Sequence, residues 1–307
     1  MEQPRVSVVI PVYNRPQLAL EAVRSVLFQS YPRLECILVD DGSTDPPEEA
    51  RRLFAADPRF RYLPVEHSGM PGAARNRGVE AARYDLIAFL DSDDLWLPRK
   101  LELQVTALLR SAPEVGGAPA LVHSKEIWLR AEKIISQKRH RHRRRGDVFP
   151  DALKKCMLGP STVLMRRDVY EALGGFREDL EIAEDYELWL RLAALFPVEY
   201  VDEPLIVKRA GHGEQLSEKY GQIEVFRLKG LEELVHSRWF VRQARNTVAA
   251  LTSERASELQ QAAAAELAEK CAIYAAGCRK RGKSAEAAEF EAKAARYSAE
   301  AAAGRLP

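Results

Sequence analysis

Apolar and polar positions fall into alternating blocks along the first half of the chain. Val6-Ser7-Val8-Val9-Ile10 is a short apolar run closed by Pro11, the pattern of a strand buried on both faces. Asn14 stands where a helix cap belongs, Pro16 falls in the first turn, and Leu18, Ala22, Val23, Val26 and Leu27 recur at helical spacing to about Ser30. Cys36-Ile37-Leu38-Val39 is a second strand running into Asp40-Asp41-Gly42-Ser43-Thr44-Asp45, and a helix spans 47–56. A third strand covers 60–65, Gly69 to Gly72 form a loop, and a helix spans 73–82. Leu86-Ile87-Ala88-Phe89-Leu90 then heads straight into Asp91-Ser92-Asp93-Asp94, ahead of a helix over 98–109. This β-α alternation predicts an α/β fold, Rossmann-like, with a mixed, mainly parallel sheet covered by helices on both faces. Three of its strands end in loops rich in Asp, Asn or Gly, and the crossover rule gathers those loops on one sheet edge, where ligands of such folds bind.

The second half is patterned differently. Residues 121–129, 161–165, 198–201 and 205–207 read as strands, 168–173 as a short helix and 182–195 as a strong one that carries Glu184, Asp185 and Glu187 at its start. Beyond about Tyr220 the signals are helical only, rich in Ala, Glu, Lys and Arg, with Gly277 and Gly282 expected to break the tail into shorter helices. The expected organisation is one α/β domain over 1–220 and an all-α extension over 221–307, a hairpin or bundle that could join copies of the chain.

Charge narrows the function. Lys and Arg number 46 against 45 Asp and Glu, so the chain has no bulk field for nucleic acid. No apolar run approaches the roughly 18 residues of a membrane span and no signal peptide opens the chain, which predicts a cytoplasmic protein. Cys36, Cys156, Cys271 and Cys278 lack metal-ligand spacing and read as reduced, structural thiols. The run from Lys138 to Arg145 is a local exception, either a solvated loop or a contact with anionic lipid heads at the inner face of a membrane.

The acid loop after the central strand carries the sharpest chemistry. Clustered carboxylates resist ionising together unless a cation lies between them. A hard divalent ion, Mg²⁺ or Mn²⁺, fits the oxygen-only donor set and would in turn hold a phosphate. The plainer alternative is a helix cap at Asp94 ahead of Pro98.

Taken together, PVYN (Pro11–Asn14), VDDGSTD (Val39–Asp45), ARNRG around Arg75 and Asn76, FLDSDD (Phe89–Asp94) and AEDYELWLR (Ala183–Arg191) resemble a family 2 glycosyltransferase of the GT-A fold, over roughly residues 5–215 and with every motif in order. The resemblance implies an inverting, metal-dependent enzyme that moves a sugar from a nucleotide-sugar, UDP favoured, to a hydroxyl of a saccharide or glycolipid in surface glycan synthesis. It places Pro11, Tyr13, Asp41, Gly69, Arg75, Asn76, Asp91 and Ser92 around the nucleotide. Asp41 would accept from the uracil imide, Tyr13 would stack on the base, and Arg75 with Asn76 would open a helix toward phosphate. It makes Asp93 and Asp91, with a late His212, ligands of the metal, and Asp185 the catalytic base. Glu184, Ser161 and Thr162 fall on the acceptor side. Processive relatives carry QxxRW and membrane spans. Here Arg238-Trp239 follows Val235 where Gln would stand, which points to single-residue transfer.

Two other classes remain open from sequence. A nucleotidyltransferase that makes sugar nucleotides would carry a Gly-rich basic loop after the first strand, where PVYNR stands instead. A non-catalytic sugar-nucleotide sensor or assembly subunit could share the same nucleotide half.

Overall fold

The strands form where the apolar runs predict them, because a run apolar at every position finds no water-facing side and must be covered twice. The structure, a computed structural model, describes residues 3–110, 119–130, 133–136, 145–211, 223–243 and 251–303. Four parallel strands, β1 (Val6–Val12), β2 (Leu34–Asp40), β3 (Phe60–Pro64) and β4 (Leu86–Phe89), lie side by side in the order β3-β2-β1-β4. Along β1, Val6, Val8, Ile10 and Val12 face one apolar core and Val9 faces another on the opposite side of the sheet. Helices α1 (Pro16–Leu27), α2 (Glu48–Phe54) and α3 (Pro71–Glu80) connect these strands. Gly78 lets α3 approach the sheet, since a Cβ there would lie 2.3 Å from a methyl of Val9.

Beyond β4 the sheet becomes mixed. It continues through β8 (Leu164–Arg166), β6 (Leu121–Arg130) and β9 (Val198–Ala210) to a two-residue strand β5 (Leu95–Trp96), while β7 (Lys133–Ile135) forms a hairpin on β6. β9 is one continuous strand where two were expected. Asp202-Glu203-Pro204 interrupts the apolar pattern without ending the strand, because β9 bulges there and its register on β6 shifts on both sides of Lys125. Helices α4 (Lys100–Arg110), α5 (Phe149–Lys154), α6 (Arg167–Leu173) and α7 (Glu184–Leu195) complete the α/β part.

The C-terminal helices are α8 (Ile223–His236), α9 (Trp239–Gln243), α10 (Ser253–Lys280) and α11 (Ser284–Ala302). Gly277 does not break its helix. Gly282 does, at a φ of 76° that ends α10 and starts the antiparallel return. These helices share the core of the sheet's α7 side: Leu228, Leu231, Phe240, Leu259, Leu267 and Tyr297 are buried in one cluster with Tyr186, Leu188 and Trp189. Consequently α8 starts beside the sheet edge that carries the acidic loops. Among the described residues, no helix is long and apolar enough to cross a membrane.

Candidate active site

The carboxyl ends of β1, β2 and β4 open onto a cleft of about 320 Å³. Pro11, Tyr13, Asp41, Gly69, Arg75, Asp91, Ser92, Asp93, Glu184 and Asp185 all line it, so residues separated by 174 positions in sequence share one wall-to-wall space. Asp94 and Lys208 line it as well.

The acid loop is a tight turn after β4, closed by the Asp94 N–H on the Asp91 carbonyl at 2.9 Å. Oxygens of Asp91, Asp93 and Asp94 lie within 4.8 Å of one another. Each is held by a different neighbour. Arg75 donates to Asp91 at 2.6 Å, Arg15 to Asp93 at 3.1 Å, and Ser161 Oγ to Asp94 at 2.6 Å. Asp94 is therefore not a helix cap; it is buried beneath the loop. Burial, reinforced by Asp93 and Asp91 against the pull of Lys208, pushes its carboxyl up to about 8. Burial also opposes ionisation of Asp91, but Arg75, Lys208 and Arg15 outweigh it and hold that carboxyl below the usual range. Burial disfavours the Lys208 ammonium, yet Asp94, Glu126, Asp91 and Asp185 overcome it and raise its pKa.

Opposite the acid loop stands the start of α7. Ala183 precedes it in the left-handed region at φ 67°, a conformation that costs a β-carbon-bearing residue energy and is kept where surroundings enforce it. The helix begins with Glu184 and Asp185 turned into the cleft. One Asp185 oxygen accepts from the Tyr186 N–H at 2.7 Å and the other lies 3.5 Å from Cys156 Sγ. Burial pushes Glu184 up to about 7, against the pull of Arg75, which donates to it at 2.5 Å. Arg75 thus bridges the acid loop and α7. It sits in the second turn of α3, not at a free helix start, and its guanidinium is committed to two carboxylates. Glu187, one helical step round, forms a buried ion pair with Arg191 at 2.6 Å.

At the other end of the cleft, Tyr13 is 42% exposed and stacks on His67, with ring centroids 4.2 Å apart and planes 21° apart. The Asp41 carboxylate accepts from Ser68 N and Oγ at 2.9 Å and from Gly69 N at 3.0 Å. Asp40 accepts from Ser43 N and Tyr62 Oη and so braces its own loop. Asn14 is not a helix cap either: at φ 50° it turns its Oδ1 to the N–H groups of Thr44 and Asp45 and ties the β1 and β2 loops together.

A sequence model of glycosyl transferase family 2 matches residues 7–174, more than half of the chain. The chain belongs to glycosyl transferase family 2. It is 34% identical over 209 residues to an uncharacterized glycosyltransferase of Rickettsia felis, a match that covers 68% of this chain and 33% of that protein. Against the UDP-Glc:alpha-D-GlcNAc-diphosphoundecaprenol beta-1,3-glucosyltransferase WfgD of Escherichia coli it is 30% identical, over 62% of this chain and 71% of the relative. The chain thus spans about a third of the length of the first of these relatives and most of the second. Its GT-A fold is that of residues 1–349 of S. aureus TarS in complex with UDP-GlcNAc, at a TM-score of 0.61 and 17% identity over 96% of this chain and 92% of that one. It is shared with the mannosyltransferase PcManGT of Pyrobaculum calidifontis in complex with GDP-Man and Mn²⁺, at a TM-score of 0.54 and 21% identity over 96% and 87%.

Several expected members of this family 2 site are placed elsewhere. Asn76 does not reach the cleft. Its amide donates to Phe176 O at 2.9 Å and Glu178 at 2.8 Å and accepts from Phe176 N, because neighbours in a helix point about 100° apart and only Arg75 faces inward. Ser161 and Thr162 lie behind the acid loop. Ser161 is 2% exposed and also accepts the Asp91 N–H at 3.1 Å; Thr162 Oγ1 donates to Gly159 O at 2.8 Å. Neither hydroxyl is presented to an acceptor, and Pro160 lines the cleft instead. His212 and the basic run except Arg145 lie outside the described residues.

Three residues join the site that the motifs did not single out. Arg15 directly follows PVYN, and only the fold brings it to Asp93. Lys208 arrives from the far end of β9, and Ile223 from the first turn of α8. Pairing across a sheet brings these two in, and no local pattern announces them.

The three carboxylates suit a hard divalent cation by donor type and by proximity. Asp94 supplies the physical test. A carboxyl that burial keeps up near 8 becomes an anion most readily with a cation against it.

Proposed function

We propose that the chain is an inverting, metal-dependent glycosyltransferase that moves one sugar from a UDP-sugar to the hydroxyl of a saccharide or glycolipid. The observation that carries this is that the start of α7 brings two carboxylates, Glu184 and Asp185, into the same cleft as a triad of acids, with Glu184 paired to Arg75. In-line displacement needs both: a base on the acceptor's side and counter-charge on the leaving group's side. The acceptor oxygen attacks the anomeric carbon, its bond to the diphosphate oxygen breaks, and the acceptor proton passes to Asp185. The Tyr186 N–H, donating to Asp185 Oδ1 at 2.7 Å, fixes the orientation of that carboxylate at the start of α7. Asp91, Asp93 and Asp94 would hold the ion, which supplies charge neutralisation to the departing diphosphate. Lys208 and Arg15 add fixed positive charge beside them, and Arg75 locks the acid loop to the helix that carries the base.

Tyr13 and Asp41 form the base end of the donor site in this reading. UDP is preferred because a carboxylate accepts the uracil imide N–H. The UDP-GlcNAc bound to TarS agrees with it, while the GDP-Man bound to PcManGT makes GDP the alternative to test. A glycolipid acceptor is supported by the diphosphoundecaprenol in WfgD's name. With such an acceptor the basic segment 138–145 would meet anionic head groups at the inner membrane face, and the α10–α11 hairpin would remain for self-association. Replacing Asp185 with Asn tests the core of the proposal. UDP with Mn²⁺ should raise the melting temperature of the variant as it does that of the wild type. Release of UDP from UDP-sugars in the presence of saccharide acceptors should fall at least a thousandfold. Unchanged turnover refutes the assignment.

A further inference from the structure

The base end of the cleft already contains a ring. The His67 imidazole lies nearly parallel to Tyr13, 4.2 Å between centroids. Its Nδ1 lies 2.7 Å from the Asp41 carbonyl and 3.1 Å from Asp41 Oδ2. Both oxygens are acceptors, so Nδ1 carries the proton and donates to Asp41. A flat ring stacked on Tyr13 with a ring N–H on the Asp41 carboxylate makes the two contacts a uracil would make there. With His67 in place, Asp41 has little acceptor capacity left. A carboxylate offers about four lone-pair positions, and Ser68 N, Ser68 Oγ, Gly69 N and His67 Nδ1 approach all of them.

We propose that His67 is an internal stand-in for the nucleobase, and that the donor binds by displacing it. This rests on the reading of Tyr13 and Asp41 as the base site. The ring can leave while its backbone stays. Gly42, at φ 71°, packs directly on His67, where a Cβ would stand 2.9 Å from His67 N and Cβ, so the main chain is pinned and the side chain turns about χ1. A second cavity of about 280 Å³, lined by Glu66, Ser68, Arg77 and Glu178, adjoins the ring and receives it. The displaced N–H is replaced only by a base with its own ring N–H, such as uracil or guanine. The affinity of every nucleotide that uses the seat is scaled down to the fraction of molecules in which His67 has left it.

The test is calorimetric titration of the full chain with UDP and, separately, with inorganic pyrophosphate, both in Mn²⁺. His67→Ala should tighten UDP about three- to tenfold, the net effect of one hydrogen bond and one stacked ring pair. It should leave pyrophosphate unchanged, because that ligand does not enter the base seat. His67→Phe keeps the stack without the N–H and should fall between. Tyr13→Ala and Asp41→Asn report on the underlying reading and should each weaken UDP. If they do and His67→Ala leaves UDP unchanged or weaker, the base site stands and the proposal is overturned. An equal gain for pyrophosphate overturns it too. If neither Tyr13→Ala nor Asp41→Asn weakens UDP, the base-site reading itself has failed.

Discussion

Ser161 separates two roles that a motif comparison merges. As an acceptor-side residue it would touch sugar; in the structure it braces the acids. Its Oγ donates to Asp94 at 2.6 Å and accepts the Asp91 N–H at 3.1 Å, and the residue is 2% exposed. Ser161→Ala removes one oxygen and leaves almost no cavity, so the cost is electrostatic. Losing a donor to the Asp94 carboxyl, which burial keeps largely protonated at neutral pH, costs about 0.5–1.5 kcal/mol, and the orphaned N–H adds about 1 kcal/mol, the low end because Asp91 is partly exposed. Urea unfolding at neutral pH should therefore show a loss of about 2 kcal/mol, followed through Trp96, whose indole donates to Ser161 O at 2.9 Å. Residues that orient ligands typically change metal affinity 10- to 100-fold. Mn²⁺-dependent UDP binding should accordingly weaken about tenfold while metal-free UDP binding holds. A variant with wild-type stability and wild-type Mn²⁺ affinity but a raised acceptor KM would refute this and return Ser161 to the acceptor.

Three further outcomes follow from named contacts. Lys100 is fully buried, with Nζ 2.7 Å from Gln104 Oε1 and 3.8 Å from the Trp96 ring centroid, and burial pushes its pKa well below the usual lysine value. Its folded pKa lies below its unfolded one, so the unfolded chain holds the extra proton between them and stability rises with pH across that window, by at most about 1.4 kcal/mol per unit. Lys100→Met should abolish that slope and be the more stable protein at neutral pH; parallel urea-unfolding curves against pH would contradict this. Gly78→Ala would place a methyl 2.3 Å from Val9 Cγ1 and 3.0 Å from Val39 Cγ2, overpacking that costs about 1–3 kcal/mol, and a loss under 0.5 kcal/mol by the same assay would show that α3 can retreat. Lys208→Met removes a cation that faces Asp94, Asp91 and Asp185 and should weaken UDP with Mn²⁺ about 10- to 100-fold by calorimetry, the worth of one charged hydrogen bond; unchanged affinity would leave Lys208 a purely structural partner of Glu126.

What the sequence made legible follows from how local each cause is. Three of the four parallel strands, β1, β2 and β4, were readable because a doubly buried strand is apolar at nearly every position, whereas β3 is a half-buried edge strand. The acid loop was readable because three carboxylates crowded at the mouth of such a strand repel one another and call for a cation. β5 was not, since two residues carry no period, nor was the unity of β9, since its Asp202-Glu203-Pro204 break is a bulge after which pairing with β6 resumes. Side-chain direction was the larger gap. ARNRG reads as one motif, yet Arg75 joins two carboxylates in the cleft while Asn76 fixes the Phe176 loop on the helix's other side. A motif marks a segment, and helical geometry then divides it between chemistry and support. The same division holds for Ser161 and Asp41. Both spend their polar atoms within the protein: Ser161 on the acids, Asp41 on Ser68, Gly69 and His67. A residue already bonded can serve a ligand only by exchanging a partner. The two differ in what they can exchange, because Ser161 is braced between two fixed acids whereas one partner of Asp41 is a ring with space beside it. In the proposed reading the base end of this cleft opens on binding, and the acid end, braced by Ser161, holds still.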